Sequence, residues 1–121
     1  MSRLQVTVVS ARNLANKDGI LGKNDPYVIV KCGHFNKHQT KTVPKAGKNA
    51  DFNETFELEL KDSKDIEIEV YDKDTLKDDL IGKAKVPIGS VLQQGNVESW
   101  YAIGEGAKNT GEVLLRIRVV Q

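Results

Sequence analysis

Cysteine is nearly missing from this chain. Cys32 stands alone among 121 residues, so no disulfide can staple the fold, and a lone thiol leans towards a reducing, cytosolic compartment. Long apolar runs are missing too. Even runs such as Tyr27 to Val30 fall far short of the roughly 20 residues of a membrane-spanning helix. Met1-Ser2-Arg3 runs straight into a patterned segment, without the apolar stretch of a secretory leader. Nor is there a large charge of one sign. Eighteen basic residues offset 17 acidic ones for a net charge of +1, and only Arg3, Arg12, Arg116 and Arg118 are arginine, so a uniformly basic nucleic-acid binder is not expected. Histidine is limited to His34 and His38, with no nucleophile motif nearby, so no enzyme is expected. With a single sulfur, placed in a strand, Cys32, His34 and His38 are not expected to hold zinc.

What remains is ordinary globular material, 39% hydrophobic and 29% charged in 13.4 kDa. A chain of this size buries roughly 65% of the surface that its unfolded form exposes, enough for a core without staples. Residues 1–121 are therefore expected to form a single domain, and a monomer. From Leu4 to Val9 apolar residues alternate with Gln5 and Thr7, the period of a half-buried strand. The pattern returns at Tyr27–Cys32, at Phe56–Leu60, at Ile66–Val70, at Ile81–Ile88, at Trp100–Ile103 and at Val113–Val120, where Arg116 and Arg118 mark the wet side. Turn-forming clusters separate these segments at Asp18-Gly19, Gly22–Pro26, Pro44–Asn49 and Gly104–Gly111. Only Ile88–Gln94 offers a helical turn. About eight short antiparallel strands, each with one dry face, imply an all-β fold of two packed sheets, because a single open sheet would leave its apolar face in water. Trp100 and Tyr101 are expected to pack into the sandwich or close its edge.

The near-neutral total conceals segregation. Lys31 to Lys48 contains five lysines and no acid, whereas Asp72 to Asp79 holds four aspartates and two lysines. Carboxylates this crowded repel one another unless a cation or water screens them. Aspartates two apart on a loop, with backbone carbonyls between them, suit calcium, which takes six to eight oxygen ligands in flexible geometry; magnesium is stricter and zinc prefers nitrogen or sulfur. The segment is not an EF-hand loop. Counted from Asp72, the sixth position is Lys77 where glycine is needed, and the twelfth is Lys83 rather than glutamate. Read alone, it is equally a solvated acidic hairpin loop.

A second acidic loop, Lys17 to Tyr27, changes that balance, and with it the sequence resembles the C2 domain of protein kinases C and synaptotagmins, a calcium-dependent phospholipid-binding module. The resemblance is carried by Ala11-Arg12-Asn13-Leu14, by Asn24-Asp25-Pro26-Tyr27-Val28, by Asn49 with Phe52-Asn53-Glu54-Thr55-Phe56, and by Tyr71-Asp72-Lys73-Asp74 followed by Asp79-Leu80-Ile81-Gly82. It implies an eight-stranded antiparallel β-sandwich with Greek-key connections, in the family's second topology class, with a binding tip made by 15–24, 43–51 and 72–79. It also implies metal ligands: the carboxylates of Asp18, Asp25, Asp72, Asp74 and Asp79, with the backbone carbonyls of Lys17 and Lys73. Asp18 to Asp25 is one residue longer than the family spacing and Asp72 to Asp79 one shorter. Asp79 is chosen because Leu80-Ile81-Gly82 follows it, and Asp78 is left as a peripheral ligand.

The same resemblance implies an anionic phospholipid membrane as partner and a cytoplasmic, reversibly membrane-associated location. Ile20, Leu21 and Leu76 fall at the tips, where complete burial of each among acyl chains contributes about 1.5 to 3 kcal/mol. Tyr27, Tyr71, Lys31 and Lys41 match positions that contact phosphoinositide headgroups in the family, although Ile29 and Gln39 stand where lysines are wanted. Lys45 and Lys48, with Lys37 and His38, offer diffuse attraction to anionic lipid, or simply blunt a sheet edge. Asn53 and Glu54 are expected to open the fourth strand and brace the second loop. The rival reading is a calcium-independent scaffold that binds a protein partner through its basic face.

Overall fold

The computed structural model describes residues 3–17, 22–34, 36–60 and 63–120. Apolar alternation becomes eight strands: β1 (Arg3–Arg12), β2 (Pro26–Cys32), β3 (Asn36–Gln39), β4 (Ala50–Glu59), β5 (Asp65–Asp72), β6 (Asp79–Pro87), β7 (Asn96–Glu105) and β8 (Lys108–Val120). Helix α1 (Ile88–Gln94) bridges β6 and β7 where a helical turn is expected. It buries Ile88 and Val91 and ends at Gly95, whose φ of 78° suits glycine and whose N–H reaches Val91 O at 2.8 Å.

Neighbouring strands pair antiparallel in the order β3-β2-β5-β6-β7-β8-β1-β4. Odd- and even-numbered strands thus alternate along the ladder, odd ones running one way and even ones the other. The β1–β2, β3–β4, β5–β6 and β7–β8 connections therefore all emerge at one end, while Arg3 and Val120 pair with each other at the opposite end. Between β6 and β7 a single position is paired, Lys83 with Gly104, and there the ladder folds over into two layers of four strands. Gly82 permits the close approach, since a Cβ there would lie 2.2 Å from Thr110 Oγ1 and 3.1 Å from Gly104 N. Leu4, Val6, Val28, Val30, Leu58, Ile66, Ile68, Leu115 and Ile117 fill the space between the layers.

Most strands run beyond the sequence expectation, β3, β4 and β7 for reasons that can be named. Strand β3 contains no apolar residue, so periodicity is silent there, and pairing with β2 from Ile29–Gln39 to Cys32–Asn36 defines it. Strand β4 starts at Ala50, ahead of both the apolar rhythm at Phe56 and the expected opening at Asn53 and Glu54, which places Asp51 in the strand and Asn53 and Glu54 within it. A bulge hides this: the β1–β4 register shifts between Val8 and Ser10, and Asn53 takes up the extra residue at φ 52°. Strand β7 runs ten residues, and the following turn narrows to Gly106-Ala107. Trp100 does not enter the core. It lies half-buried on the outer face, with the Arg12 guanidinium 3.8 Å above its ring, while Tyr101, its inward neighbour, packs on the core.

Candidate functional site

Three connections, 13–25 (loop 1), 40–49 (loop 2) and 73–78 (loop 3), meet at the common end, and two consecutive residues stitch them together. Asn24 is fully buried. Its Oδ1 accepts Lys17 N–H at 3.0 Å, its Nδ2 donates to Ala15 O at 2.8 Å and Gly47 O at 3.2 Å, and its carbonyl accepts Gly47 N–H at 3.1 Å. Asp25 ties in loop 3. Its N–H donates to Asp72 Oδ1 at 2.8 Å, its carbonyl accepts Lys73 N–H at 3.0 Å, and its Oδ1 accepts Lys45 N–H at 2.7 Å. Lys17 Nζ, 2.7 Å from Glu105 Oε1, clips loop 1 to the β7–β8 turn, and this hydrogen bond and charge hold the Glu105 carboxyl below the usual carboxylate range.

The burial of Asp72 follows from strand geometry. Ile66, Ile68 and Val70 point inward at every second residue, and Asp72 takes the next inward place, where it is fully buried at the loop end. Beyond it, loop 3 turns on its own carboxylates. Asp74 Oδ1 accepts Thr75 N–H at 2.6 Å, and Asp78 Oδ1 accepts Asp74 N–H at 3.0 Å. Asp78 Oδ2 accepts the Tyr27 hydroxyl at 2.5 Å and has Lys73 Nζ at 3.8 Å. The Asp74 N–H, followed by the Tyr27 hydroxyl, lowers the Asp78 pKa, while burial and the Asp78 carboxylate push the Tyr27 phenol far above its ordinary value. Asp79 pairs with Asp72 in the β5–β6 register and is exposed. At the tip Leu76 is 96% exposed. A cleft of about 470 Å³ separates Asp25, Thr42 and Pro44 from Lys73, Asp74 and Thr75.

The structure thus joins Asp25 to Asp72 through the Asp25 N–H, sets Asp74 and Asp78 on the short loop that follows, and places Asp79 opposite Asp72 at the start of β6. Asp18, Ile20 and Leu21 lie outside the described residues. Among the described residues, no three His, Cys, Asp or Glu side chains gather closely enough to hold a metal ion. The side chains of Asp25, Asp72, Asp74, Asp78 and Asp79 offer carboxylate oxygen only, the donor type that suits a hard cation. On the outer face of β2 and β5, Tyr27 is buried and stacks on Tyr71 with centroids 5.6 Å apart, and Lys31 Nζ is 3.0 Å from Glu69 Oε2. Lys41, Lys45 and Lys48 are exposed, with Lys41 N–H on Glu54 Oε2 at 2.7 Å, so Glu54 does brace loop 2. The clamping role of Asn24 was not read from the sequence. Its one local signal is an amide two residues ahead of the largely buried strand β2.

A sequence model of the C2 domain matches residues 2–103. The chain belongs to the C2 domain family. This C2 domain is 35% identical over 121 aligned residues to extended synaptotagmin-1 of Rattus norvegicus, an alignment covering 94% of this chain and 11% of the relative. It is 38% identical over 91 residues to a calcium-dependent lipid-binding protein of Arabidopsis thaliana, covering 74% of this chain and 18% of the relative. Among solved structures, a calcium-bound pair of C2 domains from extended synaptotagmin 2 superposes with a TM-score of 0.84 at 27% identity, covering 98% of this chain and 45% of that one. This chain therefore spans a small part of the curated relatives that it matches. C2 domains are non-catalytic modules. Among the described residues no helix is long and apolar enough to cross a membrane.

Proposed function

We propose that this C2 domain attaches reversibly to anionic phospholipid surfaces through its loop end, with calcium as the trigger. One observation carries the reading: loops 1, 2 and 3 are stitched into a single tip that unites Asp25, Asp72 and the 74–79 carboxylates beside the bare side chain of Leu76. The residues that would hold calcium are Asp18, Asp25, Asp72, Asp74 and Asp79, with the carbonyls of Lys17 and Lys73. Bound calcium supplies positive charge, and two ions would nearly cancel these five carboxylates and leave the tip free to approach lipid phosphate. Lys41, Lys45 and Lys48 add attraction of about 1 kcal/mol per charge near the surface. Ile20, Leu21 and Leu76 supply the apolar contact. The names of the relatives, one of them a calcium-dependent lipid-binding protein, support the same reading.

A calcium-independent scaffold that binds a protein partner is the second reading. It is favoured by the hydrogen bonds that already occupy Asp25, Asp74 and Asp78 and by the lack of a three-ligand cluster among the described residues. Co-sedimentation with phosphatidylserine-containing vesicles separates the two. Pelleting in calcium with release by chelator is expected; equal pelleting in both conditions, or none in either, removes the calcium trigger.

A further inference from the structure

Four aspartates between 72 and 79 should push loop 3 apart, yet it turns tightly, and the groups that restrain it can be named. Both oxygens of Asp78 are taken by donors of this chain: Oδ1 by Asp74 N–H at 3.0 Å, and Oδ2 by the Tyr27 hydroxyl at 2.5 Å, with Lys73 Nζ at 3.8 Å. The Tyr27 bond has the length of a charge-assisted hydroxyl–carboxylate bond. Tyr27 itself is firmly seated. It belongs to β2, is 6% exposed, and lies within 16° of parallel to Tyr71, whose own hydroxyl donates to Glu69 Oε1 at 3.2 Å. The hydroxyl that meets loop 3 therefore comes from a packed strand rather than from another loop.

We propose that Tyr27 and Asp78 form a latch that fixes the shape of loop 3, with Tyr27 acting as a positioning residue for Asp74 and Leu76. The latch commits Asp78 to the protein, so the ligand set of loop 3 reduces to Asp72, Asp74 and Asp79. This second statement rests on the calcium reading; the latch itself does not.

The test uses Tyr27→Phe, which keeps the stacked ring and removes only the hydroxyl. Measured by NMR without calcium, amide exchange of Asp74 should quicken about tenfold or more, as loss of one charge-assisted hydrogen bond implies, while Ile68 and Leu115 stay unchanged. An unaltered Asp74 amide overturns the latch. Should the core amides quicken as well, Asp78→Ala takes its place, with the same local loosening expected and an unchanged Asp74 again fatal. A vesicle titration then tests positioning: the calcium midpoint for phosphatidylserine vesicles should rise about three- to tenfold in Tyr27→Phe, and a looser loop with an unchanged midpoint overturns that role. Calcium-independent binding by the unmodified protein would defeat the functional reading instead, and the exchange comparison would still decide the latch.

Discussion

Asn24 donates to two carbonyls and accepts from one N–H without exposing any surface, so each atom of its amide has a separate use. Asn24→Ala strands Lys17 N–H, Ala15 O and Gly47 O and should cost about 2 to 3 kcal/mol in urea unfolding. Asn24→Asp should be at least as costly despite its equal size, because it sets a carboxylate oxygen against two carbonyls; equal stability of the aspartate variant and the parent would refute the clamp. Single positions differed in how readily the sequence disclosed them. Asp72 stands out in the sequence for its charge, while its buried place follows from strand period, which carries the residue two beyond Val70 inward. The clamp at Asn24 was not legible, because its partners, Ala15 and Gly47, lie nine and 23 residues away, and nothing local foretells that they meet.

At the level of elements, a clean apolar rhythm marks where a strand runs but not where it ends, as β1 and β8 show, and a segment without that rhythm is shortened further or escapes notice. Strand β3 is an all-polar edge strand, β4 is interrupted by the Asn53 bulge, and β7 carries Trp100 on its outer face. In each case pairing with a neighbour overrides the local pattern. The corner at β6 is equally non-local. Gly82→Ala would drive a methyl into Thr110 Oγ1 and should destabilise by about 1 to 3 kcal/mol. Pairing it with Thr110→Ala should restore only part of the loss, because Gly104 N and Ile103 Cδ1 remain within 3.2 Å of the new methyl. Full recovery in thermal denaturation would mean that the hydroxyl alone enforces the glycine.

Across the whole molecule the charges are balanced in sum and segregated along the chain, four aspartates in 72–79 against five lysines in 31–48, and the fold brings loops 2 and 3 back to one end. Two of the acidic groups, Asp78 and Glu105, have lowered pKa values in the folded protein. Their contribution to holding the loops is therefore complete above the ordinary carboxylate range and fades only as pH falls through the lowered folded values. Carboxyl carbon NMR should show both groups titrating below an ordinary glutamate or aspartate, with loop amides loosening over that same acid interval; titration at ordinary values would contradict these contacts. The assembly of the loop end was foreseen through resemblance and not through local pattern. What the sequence withheld was how far the carboxylates are already occupied by N–H and hydroxyl donors of the chain itself.

The pairing of Arg3 with Val120 has a practical corollary. Both ends of the β-structure sit on the floor of the sandwich, across from the three loops, so a linker, fusion partner or sensor surface joined at either one leaves the loops facing outward. Immobilised that way, every copy presents the same pole to whatever flows past it.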